Sequence, residues 1–148
     1  MEEVKSKQYI DVRLGKNLYG IEINYVYNII VMQNITRVPK AQPYFDGVIN
    51  LRGEIIPVMS LRTKLGLEKD EFTPTTRIMI IRPDPFAPSI GMIVDSVNEV
   101  VSLDTKDIDK ITYDEQDKNS RFSEGIGKIG SELISILNIS ELVDNKEV

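Results

Sequence analysis

The sequence predicts a mainly β protein made of two copies of one small sheet unit. Three observations carry this reading. Apolar and polar residues alternate with the two-residue period of half-buried strands, helical periodicity is weak throughout, and two blocks of the chain recur in the same order.

The elements follow in order. From Ile10 to Leu14 every second residue is apolar, which marks a first strand. Gly15, Lys16 and Asn17 supply turn chemistry, and Leu18 to Ile23 reads as the returning strand of a hairpin. Asn24 can cap a short turn ahead of Val26, Ile29 and Ile30, and Pro39 and Pro43 then interrupt the chain. Gly47–Leu51 and Glu54–Met59 form a second hairpin about Arg52-Gly53, where glycine supplies the positive φ of a tight turn. The polar stretch Glu68–Thr75, with Pro74 near its end, is the expected internal boundary. Beyond it lie a strand at Arg77–Arg82, a loop carrying Pro83, Pro85 and Pro88, and a strand-like run from Ile90 to Val101. Thr112–Glu124 reads as a long polar loop, Gly125–Asn138 as strand again, and Ile139–Val143 as a short closing helix.

The repeat is visible residue by residue. Gly20, Ile23, Asn24, Val26, Ile29 and Ile30 align without gaps against Gly91, Val94, Asp95, Val97, Val100 and Val101. Gly47-Val48 and Glu54–Met59 align with Gly125-Ile126 and Glu132–Leu137. The two offsets differ by seven residues, a difference the loop at Thr112–Glu124 absorbs. Two units of about five short strands each, too small to be stable alone, are expected to pack together and to close as barrels, which removes exposed sheet edges.

Composition narrows the function. The chain has 148 residues, 41% hydrophobic and 28% charged, the balance of a folded protein. A net charge of −5 argues against nucleic-acid binding, which needs a basic surface. With neither Cys nor His, disulfides, Cys/His zinc sites, thiol catalysis and histidine acid–base chemistry are excluded. The charged N-terminus lacks the apolar core of a signal peptide, and no run of about 18 apolar residues could span a membrane. A cytoplasmic, soluble protein is the expectation. Asp104, Asp107 and Asp109 lack the glycine and terminal glutamate of a calcium loop and read as a solvated face, so no metal is expected. Ser60, Ser131 and Ser135 have no base near them in sequence, and no Gly-rich phosphate loop is present, so neither catalysis nor a cofactor is expected.

Binding surfaces remain. Val26, Ile29 and Ile30, flanked by Tyr25 and Tyr27, are open to two readings, ordinary core or an apolar groove for a partner helix. Arg52 at its hairpin tip is either a solvated turn residue or a fork of donors for a partner's carboxylate.

Gly47-Val-Ile-Asn-Leu-Arg-Gly-Glu-Ile-Ile-Pro-Val-Met-Ser-Leu-Arg62 resembles the signature of the CheW family. The resemblance covers nearly the whole chain. It takes in Tyr19–Ile23 with Val26, Ile35–Pro39, Gly91–Val100, Gly125–Gly127 and Leu133–Ile139. It implies two five-stranded SH3-like β-barrel subdomains with short helices, in agreement with the repeat. Approximate limits are 18–74, with a strand exchanged from elsewhere in the chain allowed, and 75–137, with 1–17 and 138–148 packing on either. It further implies an adaptor without chemistry, cofactor or direct membrane insertion. Such an adaptor couples the cytoplasmic tips of methyl-accepting chemoreceptors to the regulatory domain of the histidine kinase CheA, and is recruited to membrane arrays through those partners. The implied receptor groove between subdomains would be lined by Ile10, Ile23, Val26, Ile29 and Val97, and the implied coupling turn is Asn50, Leu51, Arg52 and Gly53. Asn28 stands where many members carry Glu, and Ser60 and Asn138 stand where Asp is frequent. A coupling protein of a non-flagellar chemosensory pathway is an alternative. A small ligand- or oligonucleotide-binding barrel is another, disfavoured by the absence of Trp and the negative charge.

Overall fold

A computed structural model describes residues 6–69, 71–110 and 121–143. The first hairpin joins β1 (Ser6–Leu14) to β2 (Asn17–Glu22), with Gly15 at φ 61 in the turn. Ile10, Val12 and Leu14 are buried as their alternation requires, but so is Asp11, at 4% exposure. β1 is therefore covered on both faces, and the Asp11 carboxylate accepts a hydrogen bond from the Glu99 amide at 3.1 Å. That bond supplies a partner without which burial of the charge would be unfavourable.

A 3-10 turn at Ile23–Tyr25 leads into β3 (Val26–Val31). β4 (Phe45–Leu51) and β5 (Glu54–Ser60) form the second hairpin, followed by α1 (Leu61–Lys64), β6 (Arg77–Ile81) and β7 (Ile90–Val94). The expected run from Ile90 to Val101 is broken at Asp95, after which β8 (Ser96–Asp104) begins. A 3-10 turn at Thr105–Asp107, the two-residue β9 (Asp109–Lys110), the hairpin of β10 (Ser123–Ile129) and β11 (Glu132–Leu137), and α2 (Ile139–Leu142) complete the described residues. Most of the expected loop at Thr112–Glu124 lies outside them, apart from 121–124, where β10 begins.

The strands form two mixed sheets, ordered β8-β1-β2-β11-β10-β9 and β3-β6-β7-β5-β4. The chain divides into two compact units, one of Met1–Asn24 with Val97–Val148, the other of Tyr25–Ser96. The expected division into 18–74 and 75–137 is replaced by this one, and Glu68–Thr75 is a connection inside the second unit. The reason is a pair of parallel contacts. β5 pairs with β7 through Val58↔Gly91, and β11 pairs with β2 through Ile136↔Gly20. The repeated sequences place Gly20 against Gly91 and Val58 against Ile136, so the two sheets share one register. Each unit thus takes its leading hairpin, β1–β2 or β6–β7, from one repeat and its remaining strands from the other. The first unit adds β9 as a sixth strand, where five were expected.

Each unit has its own apolar cluster. Ile49, Ile56, Val58, Ile78, Ile80 and Ile93 pack in the second, while Tyr9, Leu18, Leu103, Ile134 and Ile136 pack in the first. A fully buried isoleucine stabilises by about 1.5–3 kcal/mol, so β-branched residues at period two hold these short strands together.

One glycine in the second unit is sterically obligatory. Thr36 and Val48 exchange two backbone hydrogen bonds of 2.8 Å, which brings the loop after β3 against β4. At Gly47, φ is 145 and a Cβ would lie 2.0 Å from the Thr36 carbonyl oxygen, so no side chain fits.

Candidate interaction surface

The β4–β5 turn is built from its four signature residues. Leu51 is half-buried and packs on the cluster of the second unit, which anchors the base of the turn. The Asn50 Oδ1 accepts a hydrogen bond from the Gly53 amide at 2.9 Å, bracing the turn across its width. Arg52 and Gly53 have φ of 53 and 85. Positive φ at both central residues is the requirement of a type I′ turn, whose twist matches that of the flanking strands. The sequence anticipated glycine there, but not arginine in the same left-handed region. That conformation is unfavourable by roughly 1–2 kcal/mol for a side chain with a Cβ. In the matching β10–β11 turn the corresponding residue is Gly130, at φ 58. Arg52 is exposed, so its guanidinium is presented outward from a rigid support.

β3 supplies an apolar face. It lies at the end of its sheet with β6 as its single neighbour, and alternation turns Tyr27, Ile29 and Val31 outward, at 48%, 37% and 61% exposure. Val26 and Ile30 are half-buried, Ile30 packing on the core of its unit. The segment is divided between the two readings: Tyr27 and Ile29 face outward, while Val26 and Ile30 are half-buried. A register shift between Val26 and Asn28 bends the strand. Asn28 is half-buried and its Oδ1 accepts a hydrogen bond from the Ile29 amide at 2.9 Å. The Arg82 guanidinium lies 4.4 Å from the centroid of the Tyr27 ring and its backbone amide donates to the Tyr25 carbonyl at 3.0 Å. These contacts fasten the start of the β6–β7 loop beside β3.

The anticipated groove residues are distributed unequally. Val26 and Ile29 share β3 in the second unit, whereas Ile10, Ile23 and Val97 belong to the first. Ile23 and Val97 are half-buried. Ile10, at 6% exposure between neighbouring strands, belongs to the core.

The two departures at Ser60 and Asn138 have a local explanation. Each caps a short helix. The Ser60 hydroxyl accepts from the Thr63 amide and the Asn138 Oδ1 from the Glu141 amide, both at 3.2 Å. Asp, Ser and Asn all cap well, so these positions call for an acceptor rather than a charge. Sequence reasoning missed the partner of Arg62. Its Nε donates to Asp95 Oδ1 at 2.8 Å and its Nη2 to Oδ2, a bidentate pair joining α1 to the break between β7 and β8. The signal was the acid that ends the repeat's fourth position.

Charge elsewhere is modest. In the first unit, burial first and the Glu22 charge second push the Glu124 carboxyl above its ordinary range, against the pull of Lys7. Hydrogen bonding to Arg13 holds Glu132 below it. Asp104, Asp107 and Asp109 are half-buried or exposed, and among the described residues no group of three or more Asp and Glu could hold a metal ion. No helix of the described residues is long and apolar enough to cross a membrane.

A CheW-like domain model matches residues 8–147. The chain belongs to the CheW family. Among similar proteins, the chemotaxis protein CheW of Helicobacter pylori is 34% identical over 92% of this chain and 81% of that protein. The chemotaxis protein CheW of Bacillus subtilis is 35% identical over 86% of this chain and 81% of that protein. The crystal structure of the scaffolding protein TtCheW from Thermoanaerobacter tengcongensis superposes with a TM-score of 0.84 at 30% identity, covering 98% of this chain and 92% of that one. The CheW signature read in the sequence is the β4–β5 hairpin with α1, so the segment that carries the family resemblance also carries the strained arginine.

Proposed function

We propose that this CheW-family protein is a non-enzymatic coupling adaptor that holds a chemoreceptor's cytoplasmic tip beside the histidine kinase CheA and so lets the receptor control kinase activity. The observation that carries this reading is Arg52. It is held at φ 53 by a braced turn in the family signature, at a place where glycine would relieve the strain. Strain of this kind persists where the side chain is used, and an exposed guanidinium on a braced backbone suits a carboxylate on a partner. The apolar residues Ile23, Val26, Ile29 and Val97 are the proposed receptor contacts, and the turn Asn50–Gly53 the proposed contact for kinase and receptor coupling. Ile10, buried in the core of the first unit, is not among the proposed contacts.

The deciding experiment is a reconstituted kinase assay with receptor, CheA and this protein. Adding the protein should raise receptor-controlled phosphorylation, with binding to both partners at tens of micromolar or tighter. Binding to neither partner at that concentration would sink the proposal, and turnover of a substrate by the protein alone would remove the adaptor assignment.

A further inference from the structure

The β6–β7 loop carries the most exposed large apolar side chain of the described residues, Phe86 at 98%. A single exposed apolar residue is ordinary on a protein surface. Phe86 differs because its loop is built to hold it out. Asp84 Oδ1 accepts a hydrogen bond from the Phe86 amide at 2.8 Å, and the Asp84 carbonyl accepts one from Ala87 at 3.1 Å. Pro83, Pro85 and Pro88 fix three of the loop's φ angles. At the base, Arg82 Nε donates to the hydroxyl of buried Ser89 at 2.9 Å, closing the loop across its neck. An aromatic anchor on a braced backbone loses little backbone freedom when it docks, and its ring has only two side-chain torsions to fix.

Position supplies the second argument. The loop leaves β6 one residue after Ile81, the direct pairing partner of Val26. Its first residue, Arg82, bonds to Tyr25 and covers one side of the Tyr27 ring. The knob is thus joined to the apolar face of Tyr27, Ile29 and Val31 without an intervening element.

We propose that Phe86 is a specificity anchor for the receptor tip, entering an aliphatic hollow on the helical partner that lies along β3. This rests on the receptor-binding reading above. The partner's chemistry follows from the knob. It must offer a pocket of aliphatic side chains about one phenyl ring wide, which two packed helices provide between adjacent turns.

The chain has no Trp, so Phe86→Trp places a unique fluorophore at the knob. Titrated with a soluble, dimeric cytoplasmic fragment of a chemoreceptor, F86W emission should shift to shorter wavelength on saturation. It should not shift with the CheA regulatory domain. Phe86→Ala should weaken receptor-fragment binding about fivefold or more, with the thermal midpoint and CheA binding unchanged. Unshifted F86W emission at calorimetrically verified saturation, or F86A binding as tightly as the parent protein, overturns the anchor while leaving receptor coupling in place. A shift on adding the CheA domain instead overturns the assignment to the receptor. If the unaltered protein does not bind the fragment at all, the receptor reading falls, and the anchor with it.

Discussion

The hairpins β4–β5 and β10–β11 occupy the same place in the two units, each paired in parallel with a strand from the other repeat in one shared register. They differ at their tips. One turn uses Gly130 where the backbone needs positive φ, and the other places Arg52 there. Their flanks also match, with Ile55 at 60% exposure and Leu133 at 64%. The first turn satisfies the fold at low strain. The second needs positive φ at both of its central residues, and the excess energy is attached to one exposed cation. A difference of this kind between duplicated hairpins separates what the architecture demands from what it carries.

The largest effect should come where the duplicated hairpins differ in steric room. Gly47→Ala should destabilise by about 3 kcal/mol or more, since it combines a backbone clash with an unfavourable φ. Its counterpart Gly125 would place an added Cβ 2.5 Å from Ile108 Cγ2 and 3.0 Å from the Asp109 carbonyl oxygen, a milder clash than the 2.0 Å at Gly47 and without a positive φ. Gly125→Ala should therefore stay within about 1–3 kcal/mol, and urea unfolding of both variants measures the gap. Equal losses would break the distinction.

Next come the equivalent valines of the two strands that flank the exchanged hairpins. Val26→Asp should weaken receptor-tip binding more than tenfold, or at least about 1.4 kcal/mol, with little change in the thermal midpoint. Val97→Asp should cost less binding, because β8 presents Asn98, Val100 and Ser102 where β3 presents Tyr27, Ile29 and Val31. Calorimetry on both variants ranks the strands. A loss of several kcal/mol in folding for Val26→Asp would instead mark that residue as core.

Arg52→Gly gives both turns glycine at the first central position. Relief of the left-handed strain and the added freedom of glycine oppose each other, so stability should remain within about 1 kcal/mol of the parent. Receptor-controlled kinase activity should fall about fivefold or more. Unchanged kinase control would reduce Arg52 to a turn residue.

The smallest effect concerns the opposed carboxyls of the first unit. The Glu124 carboxyl is raised in the folded state, so the folded protein holds that proton more tightly than the unfolded chain, and stability declines as pH rises through the window above the ordinary carboxylate value. Glu132, lowered by Arg13, runs the other way and adds stability that is lost as pH falls. Glu124→Gln should remove the first decline and gain roughly a few tenths of a kcal/mol at neutral pH, a small amount because the side chain still meets water. Urea midpoints at acidic and neutral pH test the sign.

Much of the fold was legible in the sequence because its signals are local. Alternation located β1, and the glycine of Arg52-Gly53 located the second hairpin. The aligned repeats showed the duplication. The exchange of hairpins was not legible as a division of the chain, because parallel pairing of β5 with β7 leaves no turn residue to mark it. The boundary at Glu68–Thr75 was inferred from polarity, but polarity marks solvent exposure, which connections within a unit share. The site was legible in part for the same reason. The two-residue period placed Val26 and Ile29 on a strand, whereas the place of Ile10 in a central strand depends on β8 pairing with β1, distant in sequence. The rigidity of the Phe86 loop depends on Ser89 and Tyr25, which no periodicity connects to it.

The interleaving of the two repeats also sets an order of assembly on the ribosome. The unit Tyr25–Ser96 is continuous and can close as soon as β7 has emerged. The first-made hairpin, by contrast, leaves one edge of β2 without its neighbour until β11 appears more than a hundred residues later. At ~5–20 residues per second the exposed edge persists for several seconds of synthesis. A chain released before β10 and β11 are made would therefore combine one finished unit with an open strand edge, a state open to intermolecular pairing.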